Sequence, residues 1–485
     1  MQRRKLVAIA ATVVVLAPLV FFWQRSLVPG NLSPMAMGYA DYGGGPRMAA
    51  EHAGHERDLS TLTVAADRRP DLMVRLVARK ERFEVAGRGS VQGYTLNHVS
   101  PGPEIRAMQG DLVEVTLVNE SVSDGMTLHW HGVDVPAAED GVAGVTQDAV
   151  MAGKTFVYRF VVRDAGTYWY HSHQQSHEQV KDGLFGPLVV TPKKTLPGED
   201  VIAAVHTYNK IRTVNGGYGE RRTDVPPGSV VRVRLINTDN GPMASWVDGA
   251  PYKVVAVDGT EVNQPPQVSG KSVLVTAGGR VDLQVTVPAD GTAVRVGLGG
   301  GPTTLVVGPH GGAAPTGTEP RARVDLLSYG KPAPLGFDPS QADRRFEYKI
   351  GRRIGLFNGK PGLWWTINGH QYPDVPMFMV AQGDVVRMTV RNTSGQVHPM
   401  HLHGHHIYVL SRNGTAATGS PWRVDSLNVE DGETYEIAFL ADNPGIWMDH
   451  CHNLPHAAQG LVTHLMYEGV TTPYRIDGSA KNKPE

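Results

Sequence analysis

Three stretches decide the fold: MQGDLVEVTLVNES (108–121), PPGSVVRVRLINTD (226–239) and AQGDVVRMTVRNTS (381–394). Each opens on a Gly turn, at Gly110, Gly228 or Gly383, and continues with apolar residues at alternate positions. In the first copy Val113, Val115 and Leu117 share one side. Period two with β-branched residues marks a strand with one buried face. A strand pattern repeated three times predicts an all-β chain of three similar sandwich domains, over 61–192, 198–330 and 346–470.

The rest of the chain is consistent with that plan. Its 485 residues give room for two or three domains. The 56 Gly and 34 Pro supply turns for many short strands. A net charge of −1 argues against nucleic acid or a polyanion as partner. Residues 1–25 read as an export or anchoring segment. Arg3, Arg4 and Lys5 precede an apolar run from Leu6 to Trp23. That run spans roughly 27 Å as a helix, close to one hydrocarbon core. No A-x-A cleavage site follows directly, so a retained membrane anchor over 6–23 suits the sequence at least as well as a cleaved signal. Either way the protein is expected outside the cytoplasm, anchored or secreted. Residues 26–60, with Met35, Met37 and Met48, read as a flexible tether. Residues 331–345 read as a linker and 471–485 as a tail. GLGGGP, from Gly297, lacks the Lys-Ser/Thr pair of a phosphate loop and reads as a turn. Nothing in the sequence points to an oligomeric state.

The chain holds one cysteine, Cys451, inside MDHCHNLPHAAQGL (448–461). An exported protein with one cysteine has no internal disulfide, and its thiol is safest when buried or bound to a metal. A buried structural cysteine is the usual reading. The histidines around it favour the metal. After the first repeat comes HWHG, with His129 and His131; after the third comes HPMHLHGHH, with His398, His401, His403, His405 and His406. On a strand, residues i and i+2 face one side, so each H-x-H makes a two-imidazole edge. The same units end in GTYWYHSHQQSH, with His171, His173 and His177, and GIWMDHCHNLPH, with His450, His452 and His456. The frame H-x-H-x3-H is identical. Ser172 stands where Cys451 stands, and Met126 where His398 stands. The first unit therefore lacks the thiolate and one imidazole, which leaves His177 as a relic or a satisfied polar residue. The middle unit has no equivalent of either motif.

The chemistry sorts these residues into two sets. His398, Cys451 and His456 supply two imidazoles and a thiolate, the trigonal set of an electron-transfer copper. Structural zinc would usually want a fourth ligand and more cysteines. His129, His131, His171, His173, His401, His403, His450 and His452 remain, half from each outer unit. Eight neutral imidazoles without carboxylates suit a cluster of copper ions between the units. Cys451 lies between His450 and His452, so one tripeptide joins a one-electron site to a site that can collect several electrons for dioxygen.

These four motifs, in this order, resemble those of the three-domain multicopper oxidases, a family that includes laccases. The resemblance covers nearly everything after residue 60. It implies three cupredoxin-like Greek-key domains and four copper ions, one type 1, one type 2 and two type 3. Carried over by motif, His398, Cys451 and His456 would bind type 1 copper, and His129 and His401 type 2. His131, His171, His173, His403, His450 and His452 would bind the type 3 pair. The family's axial position falls on Leu461, where Met is common. A non-coordinating residue there should raise the copper potential, unless Leu461 is plain core packing and hydrogen bonds set the potential. Asp140, in AAEDG, matches the family's acid that assists oxygen reduction, although Asp-Gly is also an ordinary turn pair. A second acid found in some relatives has no clear counterpart: Leu454 and Ala457 occupy its candidate places, with Asp449 nearby.

The expected activity is oxidation of phenols or aromatic amines, one electron at a time, coupled to reduction of dioxygen to water. The alternative is a metallo-oxidase acting on Cu(I), Fe(II) or Mn(II). Such enzymes tend to carry Met-rich inserts or acidic donor sites, and no dense Met segment lies near the third domain. A copper-binding structural protein without turnover would be expected to lose ligands from these motifs, and none is missing.

Overall fold

The computed structural model describes residues 2–47, 56–65, 67–194 and 198–485. The three repeated stretches form equivalent strands, Leu112–Asn119, Val230–Asn237 and Val385–Asn392. Each pairs in parallel with the strand that opens its unit, Leu72–Val85, Glu199–Tyr208 or Arg344–Phe357. Each pairs antiparallel on its other side, with Lys154–Val161, Arg280–Thr286 or Thr434–Leu440. Val113, Val115 and Leu117 are fully buried, as are Val231, Val233 and Leu235, while Glu114 and Thr116 are half-buried. Every such side chain contributes about 1.5–3 kcal/mol by leaving water. Alternating burial of this kind is what fixes the register, because a one-residue slip would turn the apolar set outward.

Each unit closes this sheet with a second one. In the first unit the second sheet runs Ile105–Met108, Phe185–Thr191, Gly166–His171, His129–His131. In the third, His398–Leu402 and Ile446–Cys451 lie side by side within a six-stranded sheet. The middle unit has Met243–Asp248 and Val294–Leu298 as a comparable antiparallel pair, without histidine. The GLGGGP segment ends strand Val294–Leu298 and turns into Thr304–Gly308. Gly299, Gly300 and Gly301 all have positive φ there, which suits a turn between strands.

The expected flexible tether needs correction. Tyr39–Asp41 is an edge strand of the third unit, parallel to Pro376–Val380, and Arg57–Asp58 pairs with Val470–Thr471. Met37 and Leu59 are fully buried. Few apolar residues suffice when they dock on an existing sheet edge, and composition alone does not register that. Met48 lies outside the described residues. The tail is likewise packed: the Gln175 N–H donates to the Lys483 carbonyl at 2.8 Å and the Lys483 N–H to Gln174 Oε1 at 2.7 Å.

The N-terminal segment forms the helix Gln2–Arg25. Val13, Val14, Leu19, Phe21 and Phe22 on it are exposed. Among the described residues no helix is long and apolar enough to cross a membrane. The whole run from Leu6 to Trp23 includes side chains outside that description.

Candidate metal centres

Pairing of strands places the histidines. His398–Leu402 opposes His401 to His450 and Met400 to Cys451. His129–His131 opposes His129 to His171. Alternation along Ile446–Cys451 sends Cys451 and His450 to opposite sides of the sheet. Cys451 faces His398 and His456: its Sγ stands 3.5 Å from His398 Nδ1 and 3.8 Å from His456 Nδ1. The two Nδ1 atoms are 3.3 Å apart. Ser394 Oγ sits 2.8 Å from His398 Nε2, which frees Nδ1 to act as a ligand. Burial pushes the Cys451 thiol far up and pulls His398 to about 3 and His456 to about 4. A thiolate here therefore calls for a cation, and the imidazoles are neutral.

His450 faces the first unit, where eight imidazoles meet. Their ligand atoms fall into close groups: His131, His171 and His452; His173, His403 and His450; and His129 with His401 beside His131. All eight are buried. His173 Nε2 and His403 Nε2 lie 3.4 Å and 3.2 Å from His450 Nε2, and the Nε2 atoms of His129 and His401 are 3.4 Å apart. The outer nitrogens are held by the protein. His129 Nδ1 is 3.0 Å from the Asp140 carbonyl and His401 Nδ1 2.9 Å from the Asp425 carbonyl. His171 Nδ1 lies 2.9 Å from the Ser172 carbonyl and His450 Nδ1 3.1 Å from the Cys451 carbonyl. A proton on Nδ1 leaves the Nε2 lone pair for a metal.

Whether metal fits is tested by what the imidazoles lack. Both ring nitrogens of His131 and His452, His171 Nε2 and His173 Nδ1 have no hydrogen-bond partner, although buried polar atoms ordinarily find one. Burial holds His131, His171, His173, His401, His403 and His452 well below the ordinary histidine range. Neutral imidazoles with free lone pairs, closely grouped, fit copper ions.

Two family models, both described as multicopper oxidase, match residues 78–195 and 346–469. The chain belongs to the multicopper oxidase family. It is 29% identical over 439 residues to Laccase-1 of Botryotinia fuckeliana, covering 76% of this chain and 77% of that protein. It is 28% identical over 463 residues to the multicopper oxidase MmcO of Mycobacterium tuberculosis, covering 81% and 86%. A multi-copper oxidase structure from Pseudomonas thermotolerans superposes with a TM-score of 0.69 at 27% identity, covering 82% of this chain and all of that one. This multicopper oxidase is thus a copper-dependent oxidoreductase with oxygen as acceptor, in the cupredoxin fold.

The sequence-predicted residues all fall at the two centres except Leu461, whose backbone is tied to two residues of the first. Leu461 is fully buried; its carbonyl accepts from Cys451 N–H at 3.1 Å and its own N–H donates to the His456 carbonyl at 3.0 Å. Asp140 is buried between two ligands, with Oδ2 2.9 Å from His403 Nδ1 and Oδ1 3.1 Å from His129 Nδ1. Asp449, by contrast, faces the interior of the third unit on the thiolate side, 3.5 Å from the Tyr348 hydroxyl; burial raises its carboxyl to about 8. It does not reach the cluster side. His177 pairs with Glu485 at 2.7 Å and Ser172 donates to Gln179 at 2.6 Å, so neither belongs to a metal site.

Arg280 and Gly278 carried no sequence signal, because they come from the middle unit, which has no histidine motif. Arg280, fully buried, grips the Asp425 carboxylate with two bonds of 2.7 Å and 2.5 Å. Asp425 stands 3.5 Å from both His131 Nδ1 and His401 Nδ1. Burial alone would raise Asp425; Arg280 and then His406 outweigh it and hold the carboxyl well below its usual range. The Gly278 carbonyl accepts from Trp169 Nε1 at 2.9 Å. Gly278 has φ +77°, and a Cβ there would come within 2.7 Å of His131 Nε2 and 2.8 Å of the His452 ring. Gly278→Ala is therefore expected to lower copper content below that of the parent while keeping the thiolate-to-copper charge-transfer absorption. Metal analysis with an absorption spectrum checks it; full copper content would show the contact to be harmless.

Proposed function

We propose that this multicopper oxidase takes electrons from phenolic or aromatic-amine donors at the edge of His456. In this reading His398, Cys451 and His456 hold type 1 copper and His129 and His401 hold type 2. His131, His171 and His452 hold one type 3 ion, and His173, His403 and His450 the other. Copper bound there supplies one-electron acceptance at the thiolate and four-electron reduction of dioxygen to water at the eight histidines. Cys451 is covalently joined to His450 and His452, and these belong to different three-histidine groups, so its backbone leads to both. Asp140 orients His129 and His403 and holds a carboxyl beside the cluster, which is the placing a proton-supplying acid needs.

The surroundings of His456 carry the donor reading. His456 is half-buried, and Trp365 packs on it with ring centroids 4.5 Å apart. The Arg352 guanidinium lies over Trp365 at 5.3 Å, and after burial it is the main influence lowering His456. Of the residues around His456 only Arg352 reaches a cavity of about 620 Å³, which Lys349 and Arg353 line against Glu347. An aromatic, positively charged edge suits a flat organic donor and favours one bearing an anion. A metal-ion donor, the alternative, would meet the positive charge of Arg352.

We also propose that the helix Gln2–Arg25 anchors the protein in a membrane with the sandwiches outside the cytoplasm. Its exposed apolar side chains and the length of the run support this. A chain starting at residue 26 is expected to leave the membrane fraction that holds the full chain; equal partitioning would count against an anchor.

Steady-state oxygen uptake tests the donor. Phenols, including a carboxylated methoxyphenol, are expected to drive uptake with a higher kcat/KM than Cu(I) or Fe(II). Arg352→Glu is expected to raise KM for the carboxylated phenol by roughly five- to tenfold, as for a partly exposed charge contact of ~1 kcal/mol. Asp140→Asn is expected to slow uptake with every donor alike. Faster turnover of a metal ion by the parent would sink the organic-donor reading.

Leu461 offers no lone pair beside the thiolate. Leu461→Met is expected to lower the type 1 potential and slow the hardest phenols. An unchanged or higher potential in a redox titration would remove Leu461 from the account.

A further inference from the structure

Of the buried histidines outside both centres, His206, His405 and His406 each have a partner for at least one ring nitrogen, and His464 has none. His464 is 1% exposed, and neither ring nitrogen has a hydrogen-bond partner. Burial draws it down to about 4, so the ring is neutral. It lines a cavity of about 200 Å³ whose floor also holds Met448 and Val462, and whose rim includes the exposed Asn358, Asp477 and Lys483. Strand register makes the setting specific. His464 lies directly opposite Met448 on the neighbouring antiparallel strand and beside Met377 on the other. Directly opposed residues have Cβ atoms about 4.5–5.5 Å apart on one face. Met377 and Met448 are both buried.

That row of side chains continues toward the cluster. The Met448 carbonyl accepts from His403 N–H at 3.0 Å. His450 follows Met448 by two residues and so shares its face. The donors on this sheet face are one imidazole and two thioethers; the carboxylates of the same cavity, Asp477 and Glu485, come from the C-terminal segment, and Glu485 is engaged by His177 at 2.7 Å. Soft thioethers with an imidazole select monovalent copper over Zn²⁺ or the hard cations. A histidine with two idle nitrogens in the wall of a cavity, with Met448 in that wall and Met377 next to it by strand register, is poorly explained by apolar packing alone, since burying an unpaired polar group is costly.

We propose that His464 and Met448, with Met377 beside them, form a separate binding site for monovalent copper. It lies on the sheet face that carries His403 and His450, at the floor of a cavity open to solvent. The site holds Cu(I) without oxidising it, so binding involves no electron transfer. It gives a reduced copper ion a resting place one residue row from the cluster.

The test uses the intact, copper-loaded protein, fully reduced and kept anaerobic so that no acceptor can consume Cu(I). Cu(I) is titrated in competition with a chromophoric Cu(I) chelator. The parent is expected to take up one equivalent beyond its resident copper, with nitrogen and sulfur neighbours by X-ray absorption. Met448→Leu, which conserves volume, and His464→Phe are each expected to weaken that uptake at least tenfold while the resident copper stays. Circular dichroism and the thermal midpoint check that each variant is folded; if His464→Phe is not, Met448→Leu alone decides. No extra equivalent in the parent means a water-filled cavity only and overturns the proposal. An extra equivalent that survives Met448→Leu also overturns it. Because no donor and no oxygen are present, the result is independent of which donor the enzyme oxidises.

Discussion

Eight imidazoles must share one dry space with lone pairs turned into it, and the rest of the molecule serves that constraint. An imidazolium in such a place would cost far more than any hydrogen bond returns. The protein meets the constraint with backbone carbonyls. Those of Asp140, Ser172, Asp425 and Cys451 each face the outer nitrogen of one ring, so the inner nitrogen points into the shared space. Carbonyls hold a tautomer without adding a charge. Carboxylates appear only at the margin, as Asp140 and Asp425, and Asp425 is neutralised by Arg280.

Arg280 gives a physical reason for a middle sandwich that lacks the histidine motifs of the outer two. It carries a buried cation into the joint between units, where Asp425 touches two ligand rings. The same unit places Gly278 against His131 and His452, closing the cavity with backbone where a side chain would not fit. Around it, Asp282 accepts from Thr167 of the first unit at 2.8 Å and from Arg234 at 3.1 Å. A buried ion pair contributes little net stability but penalises any docking that leaves one partner bare. The middle unit thus fixes how the outer two face each other.

The outer units show how one scaffold yields two different outcomes. Both oppose a histidine strand to a strand ending in H-x-H. In the third, the residue between those histidines is a thiolate with His398 and His456 within reach. In the first it is Ser172, engaged with Gln179, and His177 is drawn off to Glu485. Only in the third do a thiolate and two imidazoles of one unit converge. Trp365 and Arg352 then shape what can approach it.

Local sequence determined the strands and the ligands. Val113, Val115 and Leu117 had to face inward because a strand alternates, and copper chemistry demanded imidazoles and a thiolate at spacings a strand can present. Those signals lie within a dozen residues, so they are readable without a structure. Contacts made by docking were not. Arg280 and Gly278 sit in a unit with no metal motif; Tyr39–Asp41 is a strand only because a sheet edge awaits it; Met377, Met448 and His464 become neighbours only through strand register. Which histidines share an ion was also decided in three dimensions. His450 and His452 flank one cysteine yet join different groups, because the orientation of the first unit against the third sets the distances between rings.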